Sequence, residues 1–491
     1  MRQGGVILHI SSLPSPCGIG TMGRQAREFA DFLQAAGLQF WQILPLGEVN
    51  DSNSPYQSPS VFAGNPLLID LEQLRDDGLL RQAELEEFGW GGDPRRVDFA
   101  AVKAGRAQLL RRAWQRAGAA LADRLAAFRA ENACWLPDYA RYMTLEHPPA
   151  GLAPALLAGA KARDPAALEQ FDRAAAAEQG FWVFQQYLFH TQWQSLRQYV
   201  NSRGVGIIGD IPIYVAARSA DVWAHPELFC LTPQGSPAQL AGCPPDYFAP
   251  QGQVWGNPLY DWQEMQRQDW RWWAQRLAQC SRLYDKVRLD HFRGFEAYFC
   301  IPAGPQPDAR AGRWQPGPGR AFFDAMERQV QGLDLIAEDL GTLTPEVHRL
   351  RQAVGCPGMA VLQFAFDGDP HNAYLPHNLT RDRIMYTGTH DNDTLAGWYA
   401  ALPDWQRAYC GYYMRPGVQR PWWDVLGTAW GTVCDLAMAQ MQDLLGLGSD
   451  CRMNTPSVPE GNWRWRLLPG ECSTALAKDI RDLNRLYGRG V

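Results

Sequence analysis

A chain of 491 residues, 46% of them hydrophobic, carries enough apolar material for a large core, and a formal net charge of −6 with no long run of Lys and Arg excludes an electrostatic footprint for nucleic acid or an anionic membrane. The eleven cysteines, from Cys17 to Cys472, are odd in number, scattered and without a C-x-x-C pair, which argues against a disulfide framework or a zinc knuckle and for a reducing compartment. With no signal-like and no membrane-length apolar run, the expectation is a soluble, cytoplasmic protein.

Short apolar runs alternate with helical patterns along the chain. Val6 to Ile10 is the first run, and the periodicity after it predicts a helix from Arg24 to Ala36, with Phe29, Phe32, Leu33 and Ala36 on one face and a stop at Gly37. The second run, Phe40 to Leu44, completes a β-α-β unit. From about Leu71 to Gly180 the chain is rich in Ala, Arg and Glu, too long for a single crossover, and reads as an inserted helical subdomain, residues 71–180. A helix over Phe181 to Val200 then feeds a third run, Val205 to Ile208. Lys286 to Leu289, Leu335 to Ala337, Met359 to Phe366 and Ile384 to Thr387 follow; these place seven strands in all, and the eighth, expected ahead of Asp450, is left without a position. Continuous apolar runs of this kind are strands buried on both faces, and their alternation with helices implies a parallel α/β sheet. Eight strands with such an insertion favour a single (β/α)8 TIM barrel with inserted helical subdomains, spanning 1–491, over an open doubly wound sheet. The Pro- and Gly-rich stretch Gly312 to Gly319 reads as a surface loop.

Barrel active sites form where strands end, so the polar residue after each run is the one to inspect. Three are carboxylates: Asp290 after Lys286-Val287-Arg288-Leu289, Glu338 after Leu335-Ile336-Ala337, and Asp391 after Ile384 to His390. Any one of them alone is better read as a helix cap or a surface ion pair. Three at one barrel mouth fit the cleavage of a glycosidic bond with retention, which needs an ionised nucleophile and a protonated acid. Arg288, two residues before Asp290 and on the same side of the pleat, is expected to hold that carboxyl ionised and low, while Asp290 in turn raises Glu338. Asp339 is expected to point into the wall.

Two further segments are dense in sugar-binding groups: Asp51 to Ser58, containing Tyr56, and the segment 243–260, containing Asp246, Trp255 and Asn257. About half of those residues are expected only to pack on the rim. The 20 Trp, 17 Tyr and 20 Phe are mainly core material, with an excess that suits stacking on sugar faces. Gly18-Ile19-Gly20-Thr21-Met22-Gly23 matches a dinucleotide fingerprint, but Ser11 to Pro16 separates it from the strand and no acid ends the second strand, so a nicotinamide cofactor is not expected. Asp367-Gly368-Asp369 lacks the spacing and terminal Glu of a calcium loop, and no metal or other cofactor is indicated.

These segments together resemble one family, the 4-alpha-glucanotransferases of glycoside hydrolase family 77. The resemblance rests on His9 to Pro14, Ser54 to Ser58 with Gly64-Asn65-Pro66, Gly209-Asp210-Ile211-Pro212, Cys243 to Phe248, Arg288 to Gly294, Ala337 to Gly341, Thr389 to Asn392 and Gly461-Asn462-Trp463. It implies Asp290 as nucleophile, Glu338 as acid and base, and Asp391 as the transition-state stabiliser. It further implies Arg288 and His390 around the reacting glucose, Asp210 below it, and Tyr56, Asp246, Trp255 and Asn462 among the substrate-binding residues. The implied partners are alpha-1,4-glucans and glucose. Cys17, and Ser457-Val458 before Pro459, depart from the family pattern. An alpha-amylase-type hydrolase remains the alternative activity; a carbohydrate-binding protein on a dead barrel would be expected to lack one of the three carboxylates.

Overall fold

The computed structural model describes residues 2–245, 250–341, 343–415 and 417–490. Eight parallel strands close a barrel: β1 (Gln3–Ile7), β2 (Phe40–Gln42), β3 (Gly206–Ile211), β4 (Lys286–Leu289), β5 (Leu335–Ala337), β6 (Gly358–Val361), β7 (Arg383–Tyr386) and β8 (Leu436–Gln440). Neighbours around the barrel are neighbours in sequence, and β8 pairs with β1 to close the ring. Successive side chains of a strand alternate between faces. One set, including Ile7, Phe40, Ile208, Ile336, Met359, Val361, Ile384, Tyr386 and Met438, fills the barrel interior as its own apolar cluster. The other set, including Val6, Trp41, Ile207, Val287, Leu289, Ala337, Ala360 and Met385, joins the larger core beneath the helices.

The helix Arg24–Ala36 falls where its periodicity requires, burying Phe29, Phe32 and Leu33 and ending at Gly37, whose φ of 69° is the left-handed cap that glycine takes without strain. The helix before β3 is longer than its apolar pattern, running 27 residues from Ala176 to Ser202. Three expected strands are shorter than their apolar runs, because the chain turns into the mouth. β1 stops at Ile7 and a 3-10 turn covers Ile10–Ser12, β2 has three residues, and β6 gives way at Leu362–Phe364 to another 3-10 turn.

Between β2 and β3 lie a series of helices that begins with Leu71–Asp76 and leads into Ala176–Ser202. Their contacts with the mouth are specific. Gln186 brackets Gly64 with two bonds, donating to its carbonyl at 2.9 Å and accepting from its N–H at 2.8 Å, and Lys103 Nζ donates to the Asn50 carbonyl at 3.0 Å. A second, four-stranded antiparallel sheet is made by Gln239–Cys243, Gln253–Pro258, Ala297–Pro302 and Arg313–Pro316. The stretch 312–319 is therefore no plain loop: Arg313–Pro316 pairs as an edge strand, where its one proline, Pro316, is tolerated at the strand's end. Segment 243–260 likewise carries a strand, and its residues 246–249, Asp246 among them, lie outside the described residues. No described helix is long and apolar enough to cross a membrane.

Candidate active site

The register of β4 against β5 sets the centre of the site. Leu289 pairs with Ala337, so Asp290 and Glu338, one residue further on, leave adjacent strands side by side. Both have the parity of the interior residues Arg288 and Ile336. The spacing of neighbouring strands, about 4.8 Å, is close to the roughly 5–5.5 Å carboxyl separation of a retaining pair. Backbone bonds fix the two strand ends to each other: Glu338 N–H donates to Leu289 O, and Phe292 N–H to Glu338 O, each at 3.0 Å.

Arg288 is the cation of the site, 4% exposed on its side chain. Its Nη1 donates to both oxygens of the fully buried Asp210, at 2.8 and 2.7 Å, and to Asp290 Oδ1 at 3.0 Å. Tyr56 donates its hydroxyl to Asp210 at 2.8 Å, and its ring stacks on His390, centroids 5.2 Å apart and 20° from parallel. Trp463 leans on both rings, 5.9 Å from Tyr56 and 5.8 Å from His390. Across the mouth, Trp255 meets His291 edge to face at 4.9 Å, and Gln57 links the two rim segments by donating to Asn257 at 3.1 Å.

Glu338 accepts two backbone N–H groups, from His291 at 2.7 Å and Leu340 at 2.9 Å. His291 reaches it because its φ of 53° turns the chain sharply after Asp290. Asp339 points the other way, fully buried, accepting from Arg383 and from the Met359 N–H at 2.8 Å.

Burial raises the Asp290 carboxyl above the usual range; Arg288 pulls it down, and Asp210, Glu338 and Asp391 push it up further. The expectation that Arg288 holds Asp290 low is corrected here, because the same Nη1 is already matched by both oxygens of Asp210 and burial outweighs what remains. Burial also raises Glu338, opposed by Arg288 and by the two backbone donors. His390 is lowered, mainly by burial, and is neutral near pH 7. Three carboxyl groups, Asp210, Asp290 and Glu338, thus share one guanidinium.

Asp391 is the most open of the three acids, its side chain 46% exposed, with His390 Nε2 at 3.3 Å and Asn454 Nδ2 at 2.5 Å from the same Oδ1. The loop that carries it is tied at both ends to one carboxylate: Asp443 accepts from Thr387 Oγ1 and from Leu395 N–H, each at 2.6 Å. Asn462 uses its amide within its own loop, bonding Thr455 N–H at 2.8 Å and Val458 O at 2.8 Å, so it shapes the rim. Residues that sequence reasoning missed are Asn454, Arg452 and Asp443; each follows the last strand, whose position had been left open. Among the described residues no group of three or more His, Cys, Asp or Glu is arranged to hold a metal ion.

A closed parallel barrel with an acid pair on adjacent strand ends, a third acid on the same mouth and aromatic rings around them defines an enzyme acting on glycosidic bonds. Residues 8–471 match the family model for the 4-alpha-glucanotransferases, glycoside hydrolase family 77, and the chain belongs to that family. Its activity is that of a 4-alpha-glucanotransferase, and the hydrolase alternative is not favoured. The 4-alpha-glucanotransferase of Thermus thermophilus is 44% identical over 96% of this chain and 96% of its own length, and that of Clostridium butyricum 39% identical over 98% and 100%. Among solved structures, the amylomaltase of Streptococcus agalactiae in complex with acarbose superposes with a TM-score of 0.96 at 36% identity, all of both chains covered.

Proposed function

We propose that this enzyme moves segments of alpha-1,4-glucan to the 4-hydroxyl of another glucan or of glucose by double displacement, with Asp290 as nucleophile, Glu338 as acid and base, and Asp391 gripping sugar hydroxyls. The observation that supports the assignment is the placement of the two acids: Asp290 and Glu338 leave adjacent strands side by side, with Arg288 touching Asp290 and two backbone N–H groups fixing Glu338. Double displacement then requires the proton of the pair on Glu338 when a donor glucan lies between them. Glu338 gives it to the glycosidic oxygen as the C1–O bond breaks, and Asp290 forms the new bond to C1. The acceptor hydroxyl then displaces Asp290 while Glu338 takes back a proton, with net retention.

Arg288, His390 and Asp210 form the floor under the reacting glucose, and Tyr56 and Trp255 form its walls; Asp246 is proposed as a further substrate contact on the family resemblance alone. The 71–180 insertion supports the start of the Tyr56 segment through Lys103, and the helix Ala176–Ser202 holds Gly64 beyond it through Gln186. The acarbose held by the Streptococcus agalactiae relative supports a glucan-binding cleft here. The cytoplasm suits this chain; the potato relative is named chloroplastic/amyloplastic.

Incubation with maltotriose alone, with the oligosaccharide ladder and the reducing ends followed together, tests this function. Longer and shorter glucans at constant reducing ends are expected. Reducing ends that rise in step with donor loss would identify a hydrolase instead.

A further inference from the structure

We infer that Asn454 is a positioning residue that holds the Asp391 carboxylate by its Oδ1 and presents Oδ2 to the sugar; the inference rests on the role proposed above for Asp391. Asn454 Nδ2 donates to Asp391 Oδ1 at 2.5 Å, and His390 Nε2 lies 3.3 Å from that same oxygen. No described residue donates to Oδ2, on a side chain that is nearly half exposed to the mouth. A carboxylate with one oxygen held by the Asn454 amide, beside the His390 ring, and the other open presents that open oxygen to a sugar hydroxyl.

Asn454 is itself held tightly. Its N–H donates to the His390 carbonyl at 3.1 Å, and Arg452 joins the two segments, donating from Nε to Asn454 O at 2.7 Å and from Nη2 to the backbone carbonyl of Asp391. The next residue, Thr455, is tied to Asn462, and Trp463 N–H bonds Met453 O at 2.8 Å, next to the Tyr56 and His390 rings. The segment after β8 therefore reaches across to the end of β7 and sets the angle of its acid. A bound glucan that presses on the Trp463 rim presses on the same segment.

The chemistry of the pair gives a test that a scaffold role would not satisfy. In Asn454→Asp the introduced carboxyl and Asp391 hold one proton between them at acidic pH, and that proton reproduces the donor that the amide supplies. Once it is lost, two carboxylates repel each other across the contact. The pH profile of kcat on maltotriose, corrected for folded fraction, is expected to show Asn454→Asp active on the acid side, with its alkaline limb moved to lower pH. Asn454→Ala is expected to lose about 10²-fold in kcat at every pH with little change in KM. Profiles of Asn454→Asp and wild type that run parallel, or an Asp variant as inactive as the Ala variant at all pH values, would overturn the inference. Should the Asp variant not fold, Asn454→Ala in an Asp391→Asn background decides: no further loss is expected if Asn454 acts through Asp391, and the full loss repeated overturns it. Full kcat in Asp391→Asn alone would instead remove the underlying reading of Asp391.

Discussion

Truncating Asp443 to Ala is expected to damage catalysis from beneath the site. Asp443, Thr387 and Leu395 are all fully buried, and the two 2.6 Å bonds to the Asp443 carboxylate pin the first and last residues of the loop that carries His390 and Asp391. Removal leaves a buried hydroxyl and a buried N–H without acceptors, at about 1–3 kcal/mol each, so a stability loss of about 2–6 kcal/mol is expected. Freed at both ends, the loop can shift Asp391, and a displacement of about 1 Å costs on the order of 10²-fold in rate. Asp443→Asn should behave differently. Burial pushes Asp443 up to about 7, so the neutral acid is populated near neutral pH, and an amide has its shape: the oxygen accepts from Leu395 N–H while the NH2 donates to the Thr387 hydroxyl, which can accept. Because the folded value lies above the unfolded one, ionisation works against the fold as pH rises from about 4 toward 7, and Asp443→Asn removes that slope. Thermal unfolding across pH, with kcat and KM for maltotriose disproportionation, measures both effects. Wild-type kcat in the Ala variant, or an Asn variant as impaired as Ala, would refute the reasoning.

Asp210→Asn removes one of the anions that raise Asp290 and releases Arg288 toward it, so both changes lower Asp290; the acid limb of the kcat/KM profile, which follows ionisation of the nucleophile, is expected to move to lower pH by roughly one unit. Gly64→Ala would place a methyl group 2.1 Å from the buried Phe189 ring, and since Gln186 brackets the Gly64 backbone, the segment cannot step aside. A destabilisation of about 1–3 kcal/mol in thermal or chemical unfolding is expected.

The barrel and its acid pair were legible in the sequence because both follow from strand parity. An apolar run buried on two faces announces a strand, and the residue that follows it with inward parity meets the mouth, which singles out Asp290 and Glu338 without any contact being known. Arg288 was legible for the same reason, two residues back. What strand parity cannot give is how deeply the acid is buried and how one cation is shared: burial first, and then Asp210 on β3 bound to the same Arg288 of β4, reversed the expected direction for Asp290. β8 was the least legible strand: Leu436-Ala437-Met438-Ala439-Gln440 is made of good helix formers and becomes a strand only because β1 and β7 pair with it on either side. Asn454 and Asp443 were hidden with it, since their roles depend on where β8 delivers the chain. Asn462 shows the converse, a residue marked by resemblance whose amide is engaged in closing its own loop.

The most direct test of the double displacement is to trap its intermediate. Glu338→Gln incubated with an activated alpha-glucosyl fluoride, which needs no acid for departure of fluoride, should accumulate a glycosyl-enzyme because no base remains to activate the acceptor. Peptide mapping by mass spectrometry is expected to find the added sugar on Asp290. Sugar on any other residue, or release of fluoride with inverted product and no label, would contradict the account.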